Sequence, residues 1–487
     1  MSIYQIKPIP RTLDVSPEHY IGGRRVPSRE RFEVRSPLDW NHVLANVSRG
    51  SEQEVAMAVE AAQKAFPEWA SLGPTGRAVF VRRLADLIEE NVDRIAQVET
   101  LDVGMLERSL RDRLVFRAAK NYRVYADLAE RYEENVWHSN GTQNRIIRMP
   151  AGPAAIIVPW NAPFLLATWK TAPALMAGCT VVLKPAEWAP LSASVLADLV
   201  HEAGFPPGVF NVVQGLGDEA GAALTRHPAI RRISLTGSPE TGRVVGAQAA
   251  KSIVPFSAEL GGKSPFIVFE DADLDAAAEK AAYQYDDAGQ VCFAGTRLLI
   301  QESIADKFME LFIQYVQRHV LGDPRDERTT IAPLIHPEHL ERVDAFIQRA
   351  RAAGDRILFG GMRADGLWYE PTLVVPRAND SEIVQREVFG PVLTFQTFRD
   401  EYEAVALANS TVYGLAAVIY THSSERAERV GRMVRSGLVW VNTFAVRDLT
   451  APFGGTGISG IGREGGHYAL EFYSDLKTLQ IREGSVE

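Results

Sequence analysis

The chain has 487 residues, 46% of them hydrophobic, which suits a globular protein with a large core and about two or three domains. Its 52 basic and 61 acidic residues leave a net charge of −9, which argues against nucleic acid or an anionic membrane as the main partner. Two cysteines build no disulfide framework and fit a reduced, cytoplasmic setting.

The N-terminus, Met1-Ser2-Ile3-Tyr4-Gln5-Ile6-Lys7, lacks the basic-then-apolar pattern of a secretory signal. The sequons Asn46-Val47-Ser48 and Asn140-Gly141-Thr142 therefore carry no weight. Residues 1–50 read as strand and turn, with a tight turn at Ile21-Gly22-Gly23-Arg24. Ser51-Glu52-Gln53-Glu54 is a capping box, and Val55, Ala58, Val59 and Ala62 follow at helical spacing. A second helix starts near Pro74, with Leu84, Leu87, Ile88 and Val92 on one face. A third, arginine-rich, runs from about Glu107 to Glu130.

Ala151 to Trp169 is nineteen residues without a charge, long enough to span a bilayer. Pro153, Pro159 and Pro163 interrupt it and Asn161 sits in its middle, so a buried strand, a loop and a buried helix explain it better. From there the pattern alternates. Strands are predicted at Ala154–Val158, Val181–Leu183, Val209–Val213 and Ile233–Leu235. Helices are predicted at Phe164–Met176, Ser192–Ala203, Gly217–Thr225 and Pro239–Ala249. Short apolar strands alternating with helices make a doubly wound parallel sheet, which binds ligands beyond the carboxyl ends of its strands. The informative residues are then Pro159-Trp160-Asn161, Lys184-Pro185-Ala186-Glu187, Gly215-Leu216-Gly217 and Thr236-Gly237-Ser238. Gly237-Ser238-Pro239-Glu240-Thr241-Gly242 opens a helix whose free N–H groups and dipole suit a pyrophosphate. Its spacing is like a P-loop, but Arg243 stands where lysine is required.

A second alternating series begins near Ser264, with strands at Pro265–Phe269, Arg297–Ile300 and Leu438–Asn442 and helices at Leu274–Asp287 and Ile304–Val320. Within it lies Gly289-Gln290-Val291-Cys292-Phe293-Ala294-Gly295, a thiol in a glycine-flanked turn. A lone thiol is more often a buried structural residue, and with a free pKa of about 8.5 it needs activation to act as a nucleophile. Cys179, opening an apolar β-branched run, reads as structural. His336-Pro337-Glu338-His339 looks like a helix start, not a zinc site, and no metal is expected. Gly455-Thr456-Gly457-Ile458-Ser459-Gly460 matches the dinucleotide fingerprint, but it follows no strand and reads as a glycine-rich loop. Residues 131–150 and 474–482 read as extended outliers.

Four motifs stand in order: Pro159-Trp160-Asn161-Ala162-Pro163-Phe164, Glu259-Leu260-Gly261-Gly262-Lys263-Ser264-Pro265, the Cys292 turn, and Glu387-Val388-Phe389-Gly390-Pro391-Val392. Together they resemble the aldehyde dehydrogenase superfamily, over about residues 20 to 480. The resemblance implies an α/β fold: a Rossmann-like, doubly wound parallel-sheet domain for NAD (residues 1–130 and 151–258), a second α/β catalytic domain (259–457) and a small β bridging element (131–150 and 474–487). It also implies a homo-oligomer, dimer or tetramer, built on that element.

By the same resemblance, Cys292 attacks the aldehyde carbon, and the Asn161 amide with the Cys292 N–H stabilises the oxyanion. Hydride passes to the nicotinamide, and Glu259 activates the water that hydrolyses the thioester. Lys170 and Glu464 assist proton relay. The glutamate matters, because members that pass the acyl group to coenzyme A generally lack it. Lys184 and Glu187 are implied to bind the adenosine ribose, and a carboxylate there favours NAD over NADP. Gly217, Gly221, Gly237, Ser238, Gly242 and Leu260 join the cofactor site, with Pro159 and Trp160. Glu387 holds the nicotinamide ribose, with Phe389 beside the ring.

Asn442-Thr443-Phe444-Ala445-Val446-Arg447-Asp448-Leu449 precedes Pro452-Phe453-Gly454-Gly455. This loop resembles that of dehydrogenases of ring-cleavage semialdehydes, such as 5-carboxymethyl-2-hydroxymuconate and 2-hydroxymuconic semialdehyde. It implies that Arg447 and Arg117, with Phe453, face a carboxylated substrate. The stretch before Cys292, Asp286-Asp287-Ala288-Gly289-Gln290-Val291, departs toward general aldehyde dehydrogenases. Two other readings stay open: a broad detoxifying dehydrogenase with Arg447 in a salt bridge, and a non-catalytic binding protein on the same fold.

Overall fold

A computed structural model of the protein describes residues 6–482. Two parallel sheets organise it. The first has eight strands in the order Arg24–Val26, His19–Ile21, Phe210–Val212, Val181–Lys184, Ala154–Ile157, Arg232–Thr236, Phe256–Glu259 and Gly460–Ile461. Its five central strands, Phe210–Val212 through Phe256–Glu259, are parallel and the additions at either edge are antiparallel. Val181–Lys184 and Arg232–Thr236 are buried along their whole length, as a sheet covered on both faces by helices requires. The parallel register aligns Ile157 with Lys184 and Thr236 with Glu259, so the strands end along one edge.

The second sheet runs Arg356–Phe359, Thr372–Val375, Val392–Phe398, Arg297–Gln301, Pro265–Val268, Ala416–Tyr420 and Leu438–Val441, parallel except at the first pair. Residues 260–264 join the two sheets directly. A third, antiparallel sheet pairs Ser474–Arg482 with Thr142–Pro150, and that strand with Asn135–Ser139. The expected bridging residues 483–487 lie outside the described residues. No helix among the described residues is long and apolar enough to cross a membrane.

The capping box closes as expected: Ser51 Oγ accepts from Gln53 N, and Glu54 accepts from Ser51 N at 2.8 Å. The charge-free stretch is the strand Ala154–Ile157, a loop, and the buried helix Pro163–Ala177. Other elements differ from expectation. A separate helix, Val92–Val103, precedes the arginine-rich one, ended by left-handed Gly104. The arginine-rich helix contains a π-turn at Leu110–Leu114 before Val115–Glu130. The expected helix at 217–225 likewise opens as a π-turn, Gly217–Gly221.

The helix expected to reach Asp287 instead stops regular winding after Leu274–Ala282 and a single tighter turn. Asp286 is extended, and Asp287, Ala288 and Gly289 are left-handed with φ of 51°, 54° and 67°. The turn must reverse there because the chain passes against Gly390: a Cβ on Gly289 would collide with its carbonyl. The glycine-rich stretch 455–460 is more than a loop. Thr456–Gly457 pairs with Tyr413–Gly414, and Gly460–Ile461 completes the first sheet.

Candidate active site

The loop after Ala154–Ile157 carries Pro159, Trp160 and Asn161 to the edge where the strands end. Asn161 Nδ2 donates to the Gln290 carbonyl at 2.9 Å, which fixes it against the Cys292 turn. The Gly261-Gly262 turn meets that same segment. A Cβ on Gly262 would lie 2.5 Å from the Cys292 carbonyl, and one on Gly261 would collide with Glu387 Oε2. The Gly262 N–H donates to Glu387 Oε1 at 3.0 Å. Bare backbone at these two positions therefore lets the thiol, the amide and a carboxylate converge.

Cys292 is pushed up to about 12 by burial, then by the Glu387 and Glu259 carboxylates, so the resting thiol holds its proton. Glu259 ends the strand Phe256–Glu259 and is buried. Neither of its oxygens has a hydrogen-bond partner among the described residues, and Oε1 lies against Gly454. Burial and Glu464 hold its carboxyl well above the usual range, opposed by Lys170, Arg463 and Arg447. A carboxyl so placed keeps its proton to higher pH than a free one.

Behind Glu259 lies a buried polar network. Lys170 and Glu464 form an ion pair, Lys170 Nζ reaches Ser234 Oγ at 3.0 Å, and Trp169 Nε1 donates to Glu464 Oε2 at 2.6 Å. Trp169 and Ser234 were not singled out from sequence. Ser234 carried a signal, a hydroxyl inside a fully apolar strand pattern; Trp169 carried none.

Along the same edge, Lys184 Nζ donates to the Pro185 carbonyl at 2.6 Å and lies 3.5 Å from Glu187 Oε2. Gly221 backs onto the Lys184 side chain and Gly217 faces Glu187. Ser238 caps the helix Pro239–Ser252, accepting from Thr241 N at 3.1 Å. Gly237 N donates to the Glu259 carbonyl at 3.0 Å, and Leu260 packs on Gly242. These residues follow the strand ends of the first sheet, and the edge of Trp160 lies on Phe389 at 5.4 Å between ring centres. Phe389 is held left-handed, at φ 61°, and its carbonyl contacts His339 Nε2 at 2.7 Å. His336 caps the helix Pro337–Ala352 and stacks on Trp188 at 4.0 Å, so both histidines are used in docking.

On the other side of Cys292, the Arg447 guanidinium lies 3.8 Å from the centre of the Phe453 ring and 5.2 Å from that of Trp169. Phe453 and Glu464 exchange backbone hydrogen bonds at 2.6 and 2.7 Å, which ties this loop to the polar network. Arg117 is pushed down to about 10, by burial and then by Arg447 and Arg113. Burial also lowers Arg447, opposed by Glu259 and Cys292. The Nε atoms of both are buried without a partner, and neither arginine forms an ion pair among the described residues. Asp448 does not pair with Arg447; it accepts from Thr450 N at 2.9 Å and Oγ1 at 2.7 Å.

The chain is similar to known proteins along nearly its whole length. The aldehyde dehydrogenase family matches residues 25–479. The 2-hydroxymuconic semialdehyde dehydrogenase of Pseudomonas sp. is 40% identical over 483 residues, covering 96% of this chain and 99% of its own. The 5-carboxymethyl-2-hydroxymuconate semialdehyde dehydrogenase of Escherichia coli is 39% identical over 462 residues, covering 93% and 98%. A betaine aldehyde dehydrogenase of Staphylococcus aureus, solved in complex with NAD+, superposes with a TM-score of 0.94 at 36% identity, covering 97% and 99%. With the family matched over residues 25–479 and relatives about 40% identical along nearly the full length, the chain belongs to the aldehyde dehydrogenase family.

Proposed function

We propose that the protein oxidises an aldehyde bearing a carboxylate, a semialdehyde of the kind aromatic ring cleavage yields, to the corresponding acid with NAD. The observation that carries the substrate class is the pair Arg117 and Arg447, both half-buried, with Arg447 on the Phe453 ring that packs near Cys292 and no carboxylate hydrogen-bonded or ion-paired to either among the described residues. Two half-buried guanidinium groups, one of which feels the charge of the other, favour an anion. A cationic substrate such as betaine aldehyde would meet repulsion there. The broad-specificity reading needs Arg447 neutralised within the protein, and Asp448 is engaged elsewhere.

The cleft fits the cofactor. Glu187 and Lys184, with Gly217 and Gly221, suit the adenosine ribose; Gly237, Ser238, Gly242 and the helix N-terminus suit the pyrophosphate. Pro159, Trp160, Leu260, Phe389 and Glu387 suit the nicotinamide end. The Glu187 carboxylate disfavours an added phosphate and so favours NAD over NADP. When bound, NAD supplies the hydride acceptor.

The chain's own residues do the rest. The Cys292 sulfur, its proton lost to solvent, bonds to the aldehyde carbon. The carbonyl electron pair moves onto oxygen, where the Cys292 N–H and the remaining N–H of Asn161 stabilise it, at roughly 3 kcal/mol per donor. Once the carbon has lost hydride it is a thioester of Cys292. Glu259 takes a proton from water, the water oxygen bonds to the acyl carbon, and the C–S bond breaks to release the acid. Lys170 and Glu464 return Glu259 to its charged state. The reading divides the chain into a cofactor domain (residues 1–130 and 151–258), a catalytic domain (259–457) and a bridging element (131–150 and 474–487). It includes a homo-oligomer, dimer or tetramer, over the third sheet, where Val136, Trp137 and Leu476 are exposed.

NADH formation across an aldehyde panel tests the substrate class. Carboxylated semialdehydes are expected to give kcat/KM at least about tenfold above neutral aldehydes of equal length. Equal values would overturn the carboxylate reading.

A further inference from the structure

Lys263 has no task in the scheme above, yet it is 2% exposed in the segment that joins the two main sheets. Its ammonium has no hydrogen-bond or ion-pair partner among the described residues. It lines a cavity of about 10 Å³ together with Gly289, Thr296, Glu387 and Phe389. That volume suits one water, which needs two to four polar partners. Thr296 Oγ1 is buried there without a partner, and Glu387 supplies a carboxylate.

We propose that Lys263 is a positioning residue for the cofactor: through one water shared with Thr296, it keeps the Glu387 carboxylate ionised over the Gly261-Gly262 turn. The inference rests on the reading that Glu387 meets the nicotinamide ribose. Glu387 is buried, which pushes it up to about 7; the Gly262 N–H, then Arg342, then Lys263 favour its charge, while Glu240 opposes it. Lys263 is itself pushed down to about 7, by burial, then Arg297, with Arg342 acting the same way and Glu387 in opposition. Cys292 and Tyr413 also feel the Glu387 charge. Two of the three cations are already committed. Arg297 donates to the Lys263, Leu407 and Ala408 carbonyls at 2.8, 2.7 and 2.7 Å. Arg342 donates to the Glu387 and Val388 carbonyls. Arg342 acts on the carboxylate as well, but of the three cations only Lys263 lacks a hydrogen-bonded partner for its charged group among the described residues and lines the cavity with Glu387.

The sign follows. Removing Lys263 raises the Glu387 pKa, so the ionised, ribose-binding form appears only at higher pH. NAD+ binding to the whole enzyme, followed by titration calorimetry between about pH 6 and 9.5, reads this directly. In Lys263→Met the Kd is expected to weaken about tenfold near pH 7 and to recover most of that loss at the alkaline end. Thr296→Val is expected to move the midpoint in the same direction by less. In a Glu387→Gln background, Lys263→Met is expected to add nothing. A loss equal at every pH, or one that persists beside Glu387→Gln, would overturn the proposal. Should Lys263→Met fail to fold, an unmoved midpoint in Thr296→Val overturns it instead. A wild-type enzyme that bound no NAD+ would overturn the cofactor reading itself, whereas an unmoved midpoint leaves that reading standing.

Discussion

As the proposed nucleophile, Cys292 stands beside two carboxylates that oppose the charge it would carry. Burial and these neighbours push Cys292 up to about 12, so the cofactor-free enzyme holds it as the thiol. The raised pKa means that thiolate accumulates only as pH climbs toward that value. Alkylation of Cys292 by iodoacetamide should therefore rise about tenfold per pH step across the neutral range, with no plateau below about pH 9. Cys179 will not confuse the reading, because it is fully buried and contacts the Tyr473 carbonyl at 3.2 Å. A plateau near pH 7 would mean a preformed thiolate and another activating group. Glu259 has the complementary prediction. Only deacylation needs an activated water, so Glu259→Gln should give one burst of NADH followed by slow turnover, with a thioester trapped on Cys292. A slowed first turnover without a burst would confine Glu259 to activating the thiol.

At the scale of elements, the segment that delivers Cys292 is the least regular in the chain. Three successive left-handed residues end at Gly289, where a side chain would strike the Gly390 carbonyl. Gly289→Ala should displace the nucleophile, and a shift of about 1 Å costs roughly a hundredfold in kcat. Retention of more than a third of wild-type kcat, with normal NAD binding, would show that the turn has slack. This segment also marks where sequence reading ran out. The alternating strands, the capping box and the residues just past each strand were legible, since period and cap chemistry are local. The break at Asp286-Asp287-Ala288 was not, because helical spacing continues through it and only the distant Gly390 forbids the helix. The π-turns were hidden for the same reason. Lys263 looked like one more residue of a glycine motif; its burial comes from packing against residues a hundred positions away.

At the scale of the molecule, the site exists only because distant segments meet. Arg117 comes from the helix Val115–Glu130 and Arg447 from the loop after Leu438–Val441. Their roles were legible only through family resemblance, since arginines on a helix usually face solvent. What the fold adds is that both are half-buried, that the Arg447 charge weighs on Arg117, and that no carboxylate among the described residues is hydrogen-bonded or ion-paired to either, although Glu259 and Glu464 act on Arg447 at longer range. Such an arrangement costs stability unless a ligand repays it. The decisive measurement is kcat/KM of Arg447→Met for a carboxylated semialdehyde and for a neutral aldehyde of similar size, compared within the one variant. Each charge-assisted hydrogen bond contributes roughly 1.5–3 kcal/mol, so the charged substrate should lose about ten- to a hundredfold while the neutral one is unchanged or improved. Equal losses for the two substrates would contradict the account and make Arg447 a structural residue.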